Sequence, residues 1–157
     1  MPILAIPFSL SMPKDATVDG RRVQSKVYQV RGMARVDNDR LTLEWSGSVE
    51  IIEMHEDGVR SLRQSVPAQH LVLPTARIAS IEARGRWWKP HIEIRTDSIA
   101  PLELVPTAAA GRVLLRISRR DWGAARDLVS HVQLAMADVA LREAERARGL
   151  PRESADR

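Results

Sequence analysis

No cysteine occurs in these 157 residues, which excludes disulfides, thiolate nucleophiles and cysteine-ligated metals and fits a reducing, cytoplasmic setting. Aromatic residues are scarce, six in all with four of them tryptophan, too few for the rows of stacking platforms on which single-stranded nucleic acid lies. No apolar run approaches the roughly 20 residues of a membrane-spanning helix. The opening stretch from Met1 to Met12 is apolar, but it lacks a basic leader and carries Pro2 and Pro7, with Pro13 just beyond, which argues against an export signal. Missing too are GxSxG, the P-loop, GxGxxG, HExxH and paired CxxC, so the expectation is a chain that is not an enzyme and holds no cofactor.

Three of the 24 basic residues are lysine, and the net charge of +4 therefore rests on arginine spread along the chain. A modest positive charge without a continuous stripe is weak support for a polyanion partner.

Alternation is what the chain does have. From Val27, the residues Tyr28, Val30, Gly32, Ala34 and Val36 share one face against Gln29, Arg31, Met33 and Arg35, the period of a half-buried strand. Asp37-Asn38-Asp39 tolerates turn geometry, and Leu41, Leu43 and Trp45 resume the pattern, which predicts a hairpin. Gly47-Ser48 reads either as a second tight turn or, preferably, as a bulge through which the strand continues to Met54. His55 to Ala68 reads as a polar connection. Short strands are expected at Gln69–Leu73, at Ile81–Gly85 with Glu82, Arg84 and Arg86 outward, and at His91–Asp97 with Ile92 and Ile94 inward. Further strands are expected at Leu102–Val105 and Arg112–Ser118.

The chain then changes period. Trp122, Ala125, Leu128, Val129, Val132, Ala135, Met136 and Val139 recur at three and four residues, one apolar stripe on a long helix. Asp121 is placed to cap it, and Gly149 with Pro151 to end it. The fold expected is α+β, mainly β: about seven antiparallel strands in two packed sheets or a barrel, closed by one long C-terminal helix. Residues 1–26 are read as an N-terminal arm that is irregular or an edge strand, 27–148 as the barrel with its helix, and 149–157 as a tail.

The order of these elements, with ThrAlaArgIleAlaSerIleGluAlaArg between strands and ArgValLeuLeuArgIleSerArgArgAspTrpGlyAlaAlaArgAspLeuVal leading into the helix, resembles the bacterial branch of the pleckstrin-homology-like superfamily over residues 27–140. The resemblance implies two near-orthogonal antiparallel sheets with a helix plugging one end, and a role in binding lipids, peptides or proteins. Asp37 and Asp39 stand at the first hairpin tip where phosphoinositide binders carry a basic cluster. The implied function is thus a non-catalytic interaction module for a protein partner or a second copy. The alternative is a polyanion binder, for an anionic membrane or nucleic acid, through the region of Arg84, Arg86, Trp88 and Lys89.

Arg84, Arg86, Trp87, Trp88, Lys89 and Arg95 form the candidate partner-binding surface, because two adjacent tryptophans at a strand end cannot both face inward. The competing reading puts Trp87 in the core and Trp88 on a neighbouring strand or an arginine stem. His55 with Glu53 and Glu56, and His91 with Glu93, offer too few ligands for a metal and read as solvated polar faces. Glu82/Arg84 and Glu93/Arg95 read as cross-strand charge pairs.

Overall fold

Period-2 patterning gives eight strands and one helix in the computed structural model, which describes residues 4–11, 15–19, 22–85 and 88–149. In chain order these are β1 (Leu4–Ser11), β2 (Asp15–Asp19), β3 (Arg22–Asp37), β4 (Arg40–His55), β5 (Gly58–Pro74), β6 (Ile78–Arg84), β7 (His91–Thr96), β8 (Arg112–Arg116) and α1 (Trp122–Gly149). All pairings are antiparallel. Seven strands follow one path, β5-β4-β3-β1-β8-β7-β6, and β2 pairs with β3 beside it. The path is open, ending on β5 and β6, so the strand pairing does not close a barrel.

The inward positions fall where alternation puts them. Ile6, Phe8 and Leu10 of β1, Val30, Ala34 and Val36 of β3, Leu41, Leu43 and Trp45 of β4, Ile92 and Ile94 of β7, and Val113 and Leu115 of β8 form a single buried cluster. The helix adds Ala125, Leu128, Val129 and Val132 to it, while Trp122, Ala135, Met136 and Val139 are half-buried. From Ala140 onward every described helix residue is exposed, so the stripe fades where its apolar spacing does. Helix α1 packs on β6, β1 and β3 and on the 3-10 turn Thr75–Arg77. Gln133 of α1 donates its Nε2 hydrogen to the Ile81 carbonyl at 2.9 Å, satisfying an acceptor on strand β6.

Five expectations are corrected. Leu4–Ser11 is an interior strand, lying between β3 and β8 and carrying three core side chains. Pro7 is compatible with that place because β8 meets β1 only at Ser9 opposite Arg116, so the missing proline amide leaves no gap in that ladder. The connection expected from His55 to Ala68 is instead a two-residue turn followed by strand: His55 pairs with Gly58, and β5 tracks β4 along its whole length. Its polar look reflects a strand with no layer over it. Leu102–Val105 is not a strand; Pro101 sits in the 3-10 turn Ala100–Leu102, and Leu102 and Val105 are buried from a looped path. Asp121 occupies the N-cap position, its carbonyl accepting from the Ala125 amide at 2.9 Å, but its carboxylate accepts from the Ser118 hydroxyl at 2.6 Å. Gly85 is exposed with φ of +102° and lies past the end of β6.

The preferred reading of Gly47-Ser48 holds in that the strand continues through it, but the bulged residue belongs to the opposite strand. Strand β4 runs straight on, and a register shift between Trp45 and Gly47 absorbs one extra residue of β5. Gly32 sits where Phe8 crosses β3, and a Cβ there would overlap both the Phe8 ring and the Glu44 carbonyl.

Gly85 carries a prediction of its own. Its φ is one that L-residues adopt at a cost of roughly 1–2 kcal/mol, and an added Cβ would meet the Lys89 carbonyl oxygen. Gly85→Ala should therefore lower unfolding free energy by about 1–2 kcal/mol, measured by urea denaturation. An unchanged midpoint would mean that the hairpin does not need this backbone geometry.

Candidate functional site

The β6–β7 hairpin brings the sequence-predicted surface together in part. Arg84 ends β6, Arg95 lies on β7, and Trp88 and Lys89 sit in the connecting turn. Arg86 and Trp87 lie outside the described residues. Trp88 is 47% exposed, in the turn beyond the end of β6, where strand alternation no longer decides its direction. His91 Nδ1 is 3.1 Å from the Lys89 carbonyl.

Arg84 and Arg95 of this surface are already engaged. Glu93 points away from the core yet is only 3% exposed, because guanidinium groups from three strands roof it. Arg95 Nε donates to it at 2.6 Å and Arg112 of β8 at 3.0 Å, while Arg84 Nη1 lies at 3.8 Å. Arg84 also donates to Glu82 at 2.6 Å, and Glu82 stands directly opposite Glu93 in the register. Burial on its own would raise the Glu93 carboxyl; the hydrogen bonds and charges of Arg112 and Arg95 outweigh it and hold the group below the ordinary glutamate range. The Glu82 hydrogen bond, then the charges of Glu82 and Glu93, raise Arg84. Three arginines and Lys89 stand against two carboxylates, so the described part of this surface keeps a modest positive excess, weak support for a polyanion partner.

A groove of about 560 Å³ runs between the Asp37–Asp39 hairpin turn and the outer side of α1, with His131, Leu134, Asp138 and Arg142 along it. Elsewhere His55 Nε2 lies 3.3 Å from Glu53, which also accepts from Gln24 at 3.2 Å. Among the described residues no group of three or more potential metal ligands gathers, and no helix is long and apolar enough to cross a membrane.

The largest unsatisfied surface was not anticipated. Core positions of β3 begin at Val30, those of β4 stop at Trp45, and those of β5 begin only at Leu73. Beyond that line the strands continue as a single-layered arm, β4 from Gly47 to His55 and β5 from Gly58 to Val66. At about 3.3 Å per residue the arm projects roughly 27 Å. Registers place Val49, Ile51, Leu62 and Val66 with Tyr28 on one face and Val27, Ile52, Met54 and Val59 on the other. Met54 is 52% exposed, Leu62 56% and Val59 64%. Helix α1 packs mainly on β6, β1 and the Thr75–Arg77 turn, with a smaller contact to β3. A signal for this arm was Gly58 directly after Glu56-Asp57, a residue suited to the last position of a tight turn, between residues of strand character. Comparisons with protein-family models, with curated proteins and with solved structures return no match for this chain.

Proposed function

We propose that the chain is a non-catalytic interaction module of the pleckstrin-homology-like type whose contact surface is the β3–β4–β5 arm. One observation carries the reading: a projecting sheet that has apolar side chains on both faces and no buried residue among its described side chains. A single-layered sheet gains stability only when a face or an edge is covered, and exposed apolar area of this kind marks contact with another macromolecule. The seven-strand antiparallel path with a C-terminal helix packed on it supports the family resemblance. Glu82 and Glu93 offset part of the charge of the arginine cluster, which weakens the polyanion reading.

A photoreactive amino acid placed in turn at Val59, Trp88 and Leu134, with irradiation of cells expressing the full chain, tests this. Discrete adducts identified by mass spectrometry are expected from Val59. Position 134, equally exposed but on the groove side of α1, serves as the control. Adducts from Trp88 or Leu134 with none from Val59 would move the contact surface to the hairpin tip or the groove and overturn the proposal.

A further inference from the structure

The arm ends in an edge. Strand β5 is the terminal strand of the path, 17 residues long, and among the described residues pairs only with β4, so one side of its backbone offers amides and carbonyls along the arm. The other end of the path, β6, is seven residues long with α1 packed against it. Strand edges are ordinarily guarded by proline, lysine, inward charges or bulges. Those devices occur in β5 only in its body half, as Pro67, Pro74 and the register shift near Trp45. The nine residues Gly58 to Val66 contain no proline, lysine or acid. Their two arginines lie over the sheet: Arg63 donates to the Ser48 hydroxyl at 3.2 Å and Arg60 stands opposite Glu53.

We infer that this edge pairs with the same edge of a second copy of the chain, antiparallel about a two-fold axis through Leu62, an inference that rests on the arm being the contact surface. The sequence selects both the occupant and the register. A two-fold axis perpendicular to the sheet requires residues of the same face to meet, so the pairing must centre on a residue. Centring on Arg60 or on Arg63 sets like charges directly opposite each other, which is destabilising. Centring on Leu62 overlaps the full unguarded segment, Gly58 against Val66, and sets Arg60 opposite Gln64 and Arg63 opposite Ser61. The apolar row Ile51–Leu62 then continues into Leu62 and Ile51 of the second copy, covering the exposed leucine. Nine paired residues without proline make about eight to ten main-chain hydrogen bonds. A one-strand contact is smaller than a standard interface, so the dimer is expected to dissociate in the micromolar range.

Sedimentation of the full chain from about 1 to 200 μM should show a concentration-dependent rise from 17.6 kDa toward twice that mass. Leu62→Arg places two cations on the axis and should weaken association at least tenfold, with an unchanged circular dichroism spectrum because this side chain is exposed in the monomer. The absence of native cysteine gives a register test: Leu62→Cys should be bridged between copies by a short bismaleimide, whereas Val59→Cys, about 20 Å from its counterpart by strand rise, should not. A chain that stays monomeric throughout, a dimer indifferent to Leu62→Arg, or bridging at position 59 and not at 62 would each overturn the inference. Photo-adducts from Val59 to a different protein, with no self-association, would overturn the second copy as occupant and leave the arm as contact surface. No adducts at all from Val59 would remove the arm itself.

Discussion

Ile6→Asp should leave the protein unfolded at room temperature, and Ile6→Ala should lower unfolding free energy by about 2–5 kcal/mol. Ile6 is fully buried between Ala34 of β3 and the helix-covered core, on a strand that sits between β3 and β8. A buried aspartate there has neither partner nor water, a cost of several kcal/mol, against a total stability of about 5–15 kcal/mol for a domain. Deleting residues 1–11 should have the same outcome as Ile6→Asp, because it parts the two halves of the sheet path. Leu134→Ala is the matched control: Leu134 is 63% exposed, alanine is a good helix former, and a change within about 0.5 kcal/mol is expected. Urea denaturation followed by circular dichroism reads all four. A cooperatively folded chain without residues 1–11 would show that β1 lies on the core without holding it together.

The contrast between β1 and α1 shows what sequence patterning can and cannot transmit. The helix was legible because a stripe at three- and four-residue spacing has few alternative explanations, and its fade after Val139 matches the point where the described residues become exposed. The β3–β4 and β6–β7 hairpins were legible for the corresponding reason, each with one buried face and turn residues between. Strand β1 was obscured by Pro7, which reads as irregular or edge until the short β8 ladder is known. Strand β5 was obscured by physics of a different kind. Inward-apolar alternation arises only where a layer covers one face, and from Gly58 to Val66 neither face is covered, so the segment Val59-Arg60-Ser61-Leu62-Arg63-Gln64-Ser65 reads as a polar loop.

The sequence left the direction of Trp88 open between two readings, and the structure exposes it; the charges around it were legible only in part. Glu82/Arg84 and Glu93/Arg95 were read as cross-strand charge pairs; each is instead a bond between residues two apart on one strand, with Glu82 opposite Glu93, and no pattern along one strand could reveal that Arg112, 19 residues on, closes over Glu93 from β8. That third arginine turns an outward-facing glutamate into a buried one.

Glu93→Ala should cost about 2–3 kcal/mol at neutral pH, somewhat less than the 3–5 kcal/mol of breaking a fully buried pair, because the guanidinium groups above it are half in water. Removing the carboxylate leaves Arg95, Arg112 and Arg84 around a space with Glu82 as the one acid nearby. Glu93→Gln preserves the shape and one acceptor, so it isolates the charge. The hydrogen bonds from Arg112 and Arg95 hold the Glu93 carboxyl below its ordinary value despite burial, so in the acid range the unfolded chain binds the proton more readily than the folded one. The stabilisation from the charge is therefore complete above the unfolded-state value, near pH 4.3, and drains away as the pH falls through the lower folded-state value. The wild type minus Glu93→Gln difference in unfolding free energy should accordingly be constant from about pH 6 to 8 and shrink below about pH 4. His91 shares the face of Glu93, with its Nδ1 at the Lys89 carbonyl. A difference independent of pH throughout would show that Glu93 acts through packing and hydrogen-bond geometry, and that the arginine roof does not depend on its charge.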